Sequence, residues 1–73
     1  MDKKTALGFA KILKNERRKR GLTQEKLAEL TDLSVEHIQR LEGRSPSGVR
    51  LETLVKLSRA FKISLLRLLR DLE

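Results

Sequence analysis

The sequence predicts an all-α fold of five short helices, and three observations predict it. Leucine dominates the apolar residues, with two Phe, no Trp, no Tyr and one Pro, a composition that favours helices over strands. Apolar residues recur at helical spacing in successive stretches along the whole chain. Gly, Ser and Thr stand at the joints, where helices start and stop. The 73 residues make one domain, 1–73, and a domain this small buries only about 60% of the surface its unfolded chain exposes. Cysteine is absent and His37 is the only histidine, so neither a disulfide nor a zinc site can staple it. Stability must come from aliphatic packing or from a partner chain.

Residues 1–5 read as a flexible polar tail. From about Ala6, Leu7, Phe9, Ala10, Ile12 and Leu13 form an apolar run that gives way to the basic stretch from Asn15 to Arg20. Cations in the last turns suit the negative end of the helix dipole, and Gly21 is suited to a left-handed stop. The second helix is expected over 24–31, capped by Thr23. The third is expected over 35–42, capped by Ser34 and ended by Gly43. Asp32 falls where the turn between them needs a left-handed backbone, which Asp tolerates better than most residues. Leu27, Ala28, Leu30, Leu33, Ile38 and Leu41 are expected to supply the apolar contacts across this joint. The segment from Arg44 to Gly48 is a loop. The fourth helix is expected over 51–61, with Leu51, Leu54, Val55, Leu57, Ser58 and Phe61 inward and Glu52, Lys56 and Arg59 outward. Lys62 and Ile63 connect it to a fifth helix over 64–72, which Ser64 caps.

Two short helices joined by a tight turn in a small basic protein read first as a DNA-reading device. The net charge is +7. Residues 1–20 hold eight basic and two acidic side chains, residues 44–73 seven and three, and residues 21–43 only two and five. Attraction to a polyanion therefore comes from the flanks rather than from the reading unit. An α-helix fits the major groove, where the first residues of the second helix of such a unit meet base edges. Those are Ser34, Val35, Glu36 and His37, followed by Gln39 and Arg40, with Ile38 and Leu41 facing inward. Arg40 can bridge guanine O6 and N7, Glu36 can accept from cytosine N4, and Val35 can touch a thymine methyl. Glu36 reads equally well as an acid placed by the helix dipole, and Arg40 as its ion-pair partner one turn on. Arg44, Ser45, Ser47 and Arg50, around the loop, are backbone-phosphate candidates, and Thr23 is a cap that can also reach a phosphate.

The stretch from Arg17 to Gly43, followed by Arg50 to Leu65, resembles the phage-repressor and Cro-like (Xre-type) helix-turn-helix family. The resemblance covers roughly residues 7–70. It rests on the basic run before Gly21, on Thr23-Gln24-Glu25, on Leu27-Ala28, on Leu33-Ser34 with Ile38, and on Leu51-Glu52-Thr53-Leu54. It implies a compact lambda-repressor-like DNA-binding domain with the helix-turn-helix at helices two and three and the third helix in the major groove. It places Val35, Glu36 and Arg40 at base-facing positions and gives Gln24 a phosphate contact that also braces the reading helix. It pairs Arg17 with Glu42 as a structural ion pair. It also suggests that Glu25, Glu29 and Asp32 form an acidic strip touching RNA polymerase; as a plain sequence feature the strip reads as a solvated face. The chain departs from the family at Asp32, where Gly is common, in a slightly longer loop after Gly43, at Arg50, where Ser or Thr often caps, and at Leu66, usually polar.

The fifth helix carries Leu65, Leu66, Leu68, Leu69 and Leu72, more than an edge helix can bury. Leu65, Leu68 and Leu69 suffice for the core face. Leu66 and Leu72, with Ile63 and the border residue Leu69, are expected to form a two-fold dimer interface. The leading expectation is a transcriptional regulator that reads a near-palindromic operator in double-stranded DNA as a homodimer. The alternative is a protein-interaction adaptor or antitoxin, binding a toxin protein and reading little DNA. An enzyme is the weakest reading, since the sequence has no Cys, no phosphate-binding Gly motif and no carboxylate pair suited to a pocket. No cofactor, metal or small-molecule ligand is implied. No membrane-length apolar stretch or signal core is present, so a cytoplasmic location is expected.

Overall fold

A computed structural model describes residues 3–43 and 49–70, the side chains of Lys3 and Ala6 excepted. Five helices follow in order: α1 (Lys3–Lys19), α2 (Gln24–Thr31), α3 (Val35–Leu41), α4 (Leu51–Phe61) and α5 (Leu65–Arg70). Among the described residues there is no strand. α1 therefore begins at Lys3, not Ala6, and part of the expected tail is helical. Lysine is a good helix former and no Gly or Pro breaks this first stretch. The expected loop over 44–48 and the end of the last helix, including Leu72, lie outside the described residues.

Local chemistry closes each helix. At the end of α1 the Leu22 N–H donates to the Arg17 carbonyl (3.1 Å) and the Gly21 N–H to that of Arg18 (2.9 Å), with Gly21 at φ 68°. This is the left-handed stop that glycine adopts without strain. Thr23, Ser34 and Ser64 each accept, at 3.0 Å, the backbone N–H three residues on. They satisfy donors that the first helical turn leaves orphaned. Asp32 is left-handed at φ 58°, and so is Lys62 at φ 57°, where the sequence carries no such signal. α4 opens at Arg50 with no side-chain cap.

The core is one aliphatic and aromatic cluster to which every helix contributes: Phe9 and Leu13, Leu27 and Ala28, Ile38 and Leu41, Leu54, Leu57 and Phe61, and Leu68. Three expected core residues lie elsewhere. Leu30 is half exposed, because the inward stripe of α2 is Leu27, Ala28 and Thr31. Leu30 lies roughly 100° round the helix from that stripe. Leu51 is 66% exposed in the first turn of α4, and Thr53 is buried in its stead. Leu69, at the border of α5, is also exposed. Glu16 is an unexpected buried residue. Its carboxylate takes Arg20 Nη1 at 2.6 Å and Lys19 Nζ at 3.4 Å, while Arg20 Nε donates to the Phe61 carbonyl at 3.1 Å. The Arg20 guanidinium also lies 4.9 Å from the centroid of the Phe61 ring, in cation–π range. Burial pushes the Glu16 carboxyl up, but its hydrogen bond to Arg20 and the charges of Arg20 and Lys19 outweigh this and hold it below its ordinary value.

Candidate nucleic-acid interface

The joint between α2 and α3 sets the direction of α3. Asp32 reverses the chain, the Leu33 N–H closes on the Ala28 carbonyl at 3.1 Å, and Ser34 opens the next helix. Ile38 and Leu41 then anchor the inner side of α3 in the core. Its far end is held by a polar clamp. Glu42 is nearly inaccessible and accepts Arg17 Nε on Oε2 (2.7 Å) and Arg17 Nη2 on Oε1 (3.0 Å). Gln24 Nε2, in the first turn of α2, donates to the same Oε1 at 3.1 Å. Arg17 Nη1 completes the set on the Leu22 carbonyl at 2.8 Å. The hydrogen bond to Glu42 raises the Arg17 pKa further above the normal range, so the guanidinium stays charged. A paired, fully hydrogen-bonded charge can remain buried where a lone one could not. Arg17, Gln24 and Glu42 thus join α1, the start of α2 and the end of α3.

The outward side of α3 carries Ser34, Glu36, Gln39 and Arg40, all exposed. Val35 and His37, the other two base-reading candidates, are half-buried, and Val35 packs against the core. Glu36, Gln39, Arg40 and Gly43 line one shallow depression. A second groove runs between α3 and α4 and presents His37, Arg40, Arg50 and Lys56, with Glu52 on its rim. Arg40 belongs to both. Among the described residues no ion pair joins Glu36 to Arg40, so both head groups face solvent. A Cβ at Gly43 would lie 3.2 Å from the Gln39 carbonyl oxygen, a tight contact that glycine avoids.

Of the phosphate candidates, Thr23 and Arg50 are exposed and Gln24 is half-buried in the clamp; Arg44, Ser45 and Ser47 lie outside the described residues. Arg50 Nη1 sits 3.9 Å from Glu52. Lys56 is the residue that sequence reasoning missed. It read as an outward lysine of α4, and only the tertiary fold, which sets α4 across a groove from α3, places it with Arg40 and Arg50. Glu25, Glu29 and Asp32 are exposed, with Lys26 Nζ 3.6 Å from Glu29. On α5, Leu66 is 73% exposed and Leu69 37%, whereas Ile63 packs partly against the core. Among the described residues no group of His, Asp and Glu could hold a metal, and no helix is long and apolar enough to cross a membrane.

The Helix-turn-helix family pattern matches residues 13–68. No curated protein sequence matches the chain. Among solved structures it is similar to the restriction-modification controller protein C.AhdI from Aeromonas hydrophila. The identity is 31% and the TM-score 0.79, over 93% of this chain and 96% of that one. It is similar to the clp gene regulator ClgR from Corynebacterium glutamicum at 25% identity and a TM-score of 0.83, over 93% and 71%. A mutant of the restriction-modification controller protein C.Esp1396I shares the fold, with a TM-score of 0.82 at 22% identity over 93% and 89%. The matched span takes in the capped turn, the outward residues of α3 and the clamp at its end, and the chain belongs to the Xre/Cro-type helix-turn-helix family of DNA-binding regulators.

Proposed function

We propose that the chain is a sequence-specific transcriptional regulator that reads a near-palindromic operator as a homodimer, with α3 in the major groove. The observation that carries this reading is the outward set of Glu36, Gln39 and Arg40 on a helix fixed at both ends, by Ser34 and by the Arg17–Glu42–Gln24 clamp. Arg40 can take guanine O6 and N7, Gln39 suits adenine N6 and N7, and Glu36 suits cytosine N4. Arg50 and Lys56 stand where phosphates flanking the groove would be met, and such contacts position without specifying. The similar proteins described as controllers or gene regulators support a role in transcription control. The dimer is assigned to α5, where Leu66 and Leu69 are left exposed beside Ile63. Two reading helices would then meet half-sites about 34 Å apart.

Selection from a random duplex library tests the reading. The expected winner is a near-palindrome whose affinity falls steeply with salt, and Arg40→Ala should cost about 1–3 kcal/mol of discrimination at one base pair of each half-site. A flat selection with weak, shallow-sloped binding would reject it in favour of an adaptor or antitoxin. The dimer has its own test. Leu66→Glu should leave each protomer folded, since Leu66 is exposed in the single chain, and should lose only the stability that association adds. Sedimentation should nonetheless show a monomer; a variant that stays dimeric would move the interface off α5.

A further inference from the structure

We infer that the outward stripe of α1, carrying Lys11, Lys14 and Arg18, is a second duplex-contacting surface that takes the phosphate backbone of DNA flanking the site read by α3. The inference rests on the operator reading above and extends it beyond α3.

Three observations carry it. The first is register. Lys4, Leu7, Lys11, Lys14 and Arg18 follow steps of three and four along α1 and so lie in one line on its surface. The line spans about 21 Å, the length of about six base pairs of duplex.

The second is the way charge is paired. Arg17 is spent on Glu42, Lys19 and Arg20 on Glu16, and Lys26 lies near Glu29. Among the described residues no ion pair reaches Lys4, Lys11, Lys14 or Arg18. Acids thus neutralise Arg17, Lys19 and Arg20 and leave the cations of the stripe as repelling neighbours, an arrangement that an external polyanion relieves.

The third is continuity with the reading face. Lys11, Lys14 and Arg18 line a depression together with Leu7, Glu42 and Gly43. Gly43 also borders the depression that holds Glu36, Gln39 and Arg40. The carboxylate of Glu42 is paired with Arg17 and Gln24 and its side chain is 2% exposed, so it adds no unpaired negative charge to the basic depression. A duplex seated on α3 therefore meets an unneutralised cationic track beginning at the end of that helix.

The experiment compares the full chain with the triple variant Lys11→Gln, Lys14→Gln, Arg18→Gln, after circular dichroism has established equal helicity. Each binds two duplexes carrying the selected site, one ending at the site and one extended on both sides by about one helical turn, ~10 base pairs. On the extended duplex the variant is expected to lose a salt slope of about 2.7 per protomer. With both stripes of the dimer engaged, the parent's affinity should then fall about 2,000-fold more than the variant's between 50 and 200 mM salt. On the short duplex the two should nearly coincide. Equal slopes on the extended duplex, or the same loss on both duplexes, would overturn the inference. So would an acidic protein that binds the parent and not the variant while the DNA slopes stay equal. Arg40→Ala separates the two readings, because it should lose site preference and keep the gain from flanking DNA. If selection returns no site, the operator reading fails. The stripe is then judged on one arbitrary duplex, where a slope unchanged in the triple variant rejects it alone.

Discussion

The turn that ends α1 at Gly21-Leu22-Thr23 recurs twice further along the chain, and the two later copies serve different ends. Asp32-Leu33-Ser34 joins α2 to α3, and Lys62-Ile63-Ser64 joins α4 to α5. Each opens with a left-handed residue, at φ 58° and 57°. Each follows with an apolar residue whose N–H closes at 3.1 Å on a carbonyl five residues back, and each ends in a serine cap. α1 braces both pairs through neighbouring arginines. Arg17 grips Glu42, beyond the helix that follows the Asp32 turn, whereas Arg20 grips Phe61, just before the Lys62 turn. α3 is consequently fixed at both ends, while α5 leaves its turn with Leu68 as its one fully buried side chain. The turn sets the path of the chain, and the brace decides whether the next helix is held firmly or left as an edge.

The strongest way to break the contrast is Glu42→Ala. It strands the Arg17 guanidinium in a buried position and should cost about 3–5 kcal/mol, enough to unfold much of so small a domain. Urea unfolding reads the loss. A cost below about 1 kcal/mol would mean that the clamp is ornamental and α3 is held by Ile38 and Leu41 alone.

The Arg20 brace is tested by acid. The folded-state pKa of Glu16 lies below its ordinary value of 4.5, so its contribution is complete above that value. It is lost as pH falls through the lowered folded value. Stability followed downward from neutral pH should drop more steeply below about 4.5 in the parent than in Glu16→Gln. Parallel curves would show that the brace does not depend on this carboxylate.

The smallest effect compares the turns directly. Lys62→Gly should stabilise by up to about 1 kcal/mol by removing left-handed strain, less the entropy glycine adds to the unfolded chain. Asp32→Gly should gain less, since Asp already tolerates that backbone. Thermal melts rank the two, and the reverse ranking would mean that Lys62 has a compensating contact.

That same pair marks how far the fold was legible. Thr23, Ser34 and Ser64 located three helix starts because capping is local chemistry, readable within three residues. Asp32 announced its turn because its residue type carries the conformation. Lys62 did not, because lysine has no such leaning and adopts φ 57° only under tertiary constraint. Leu30 and Leu51 were misplaced because periodicity gives a stripe its direction but not its width, and packing settles the border. Glu16 was passed over as part of the basic stretch from Asn15 to Arg20, although an acid four residues before Arg20 was a readable pair. Arg17 and Glu42 stand 25 residues apart, beyond any local signal, and only the family resemblance brought them together. The outward residues of α3 followed from its period, whereas Lys56 needed the tertiary fold that sets α4 across a groove from α3.

The clamp on Glu42 has a consequence for how such a protein diverges. It holds the reading helix by its tail, using groups set apart from Glu36, Gln39 and Arg40. Frame and address are therefore written in different letters. On the operator reading proposed above, the outward residues of α3 can be respelled without loosening what keeps the helix in place, so one scaffold can be readdressed by descent to many DNA sites.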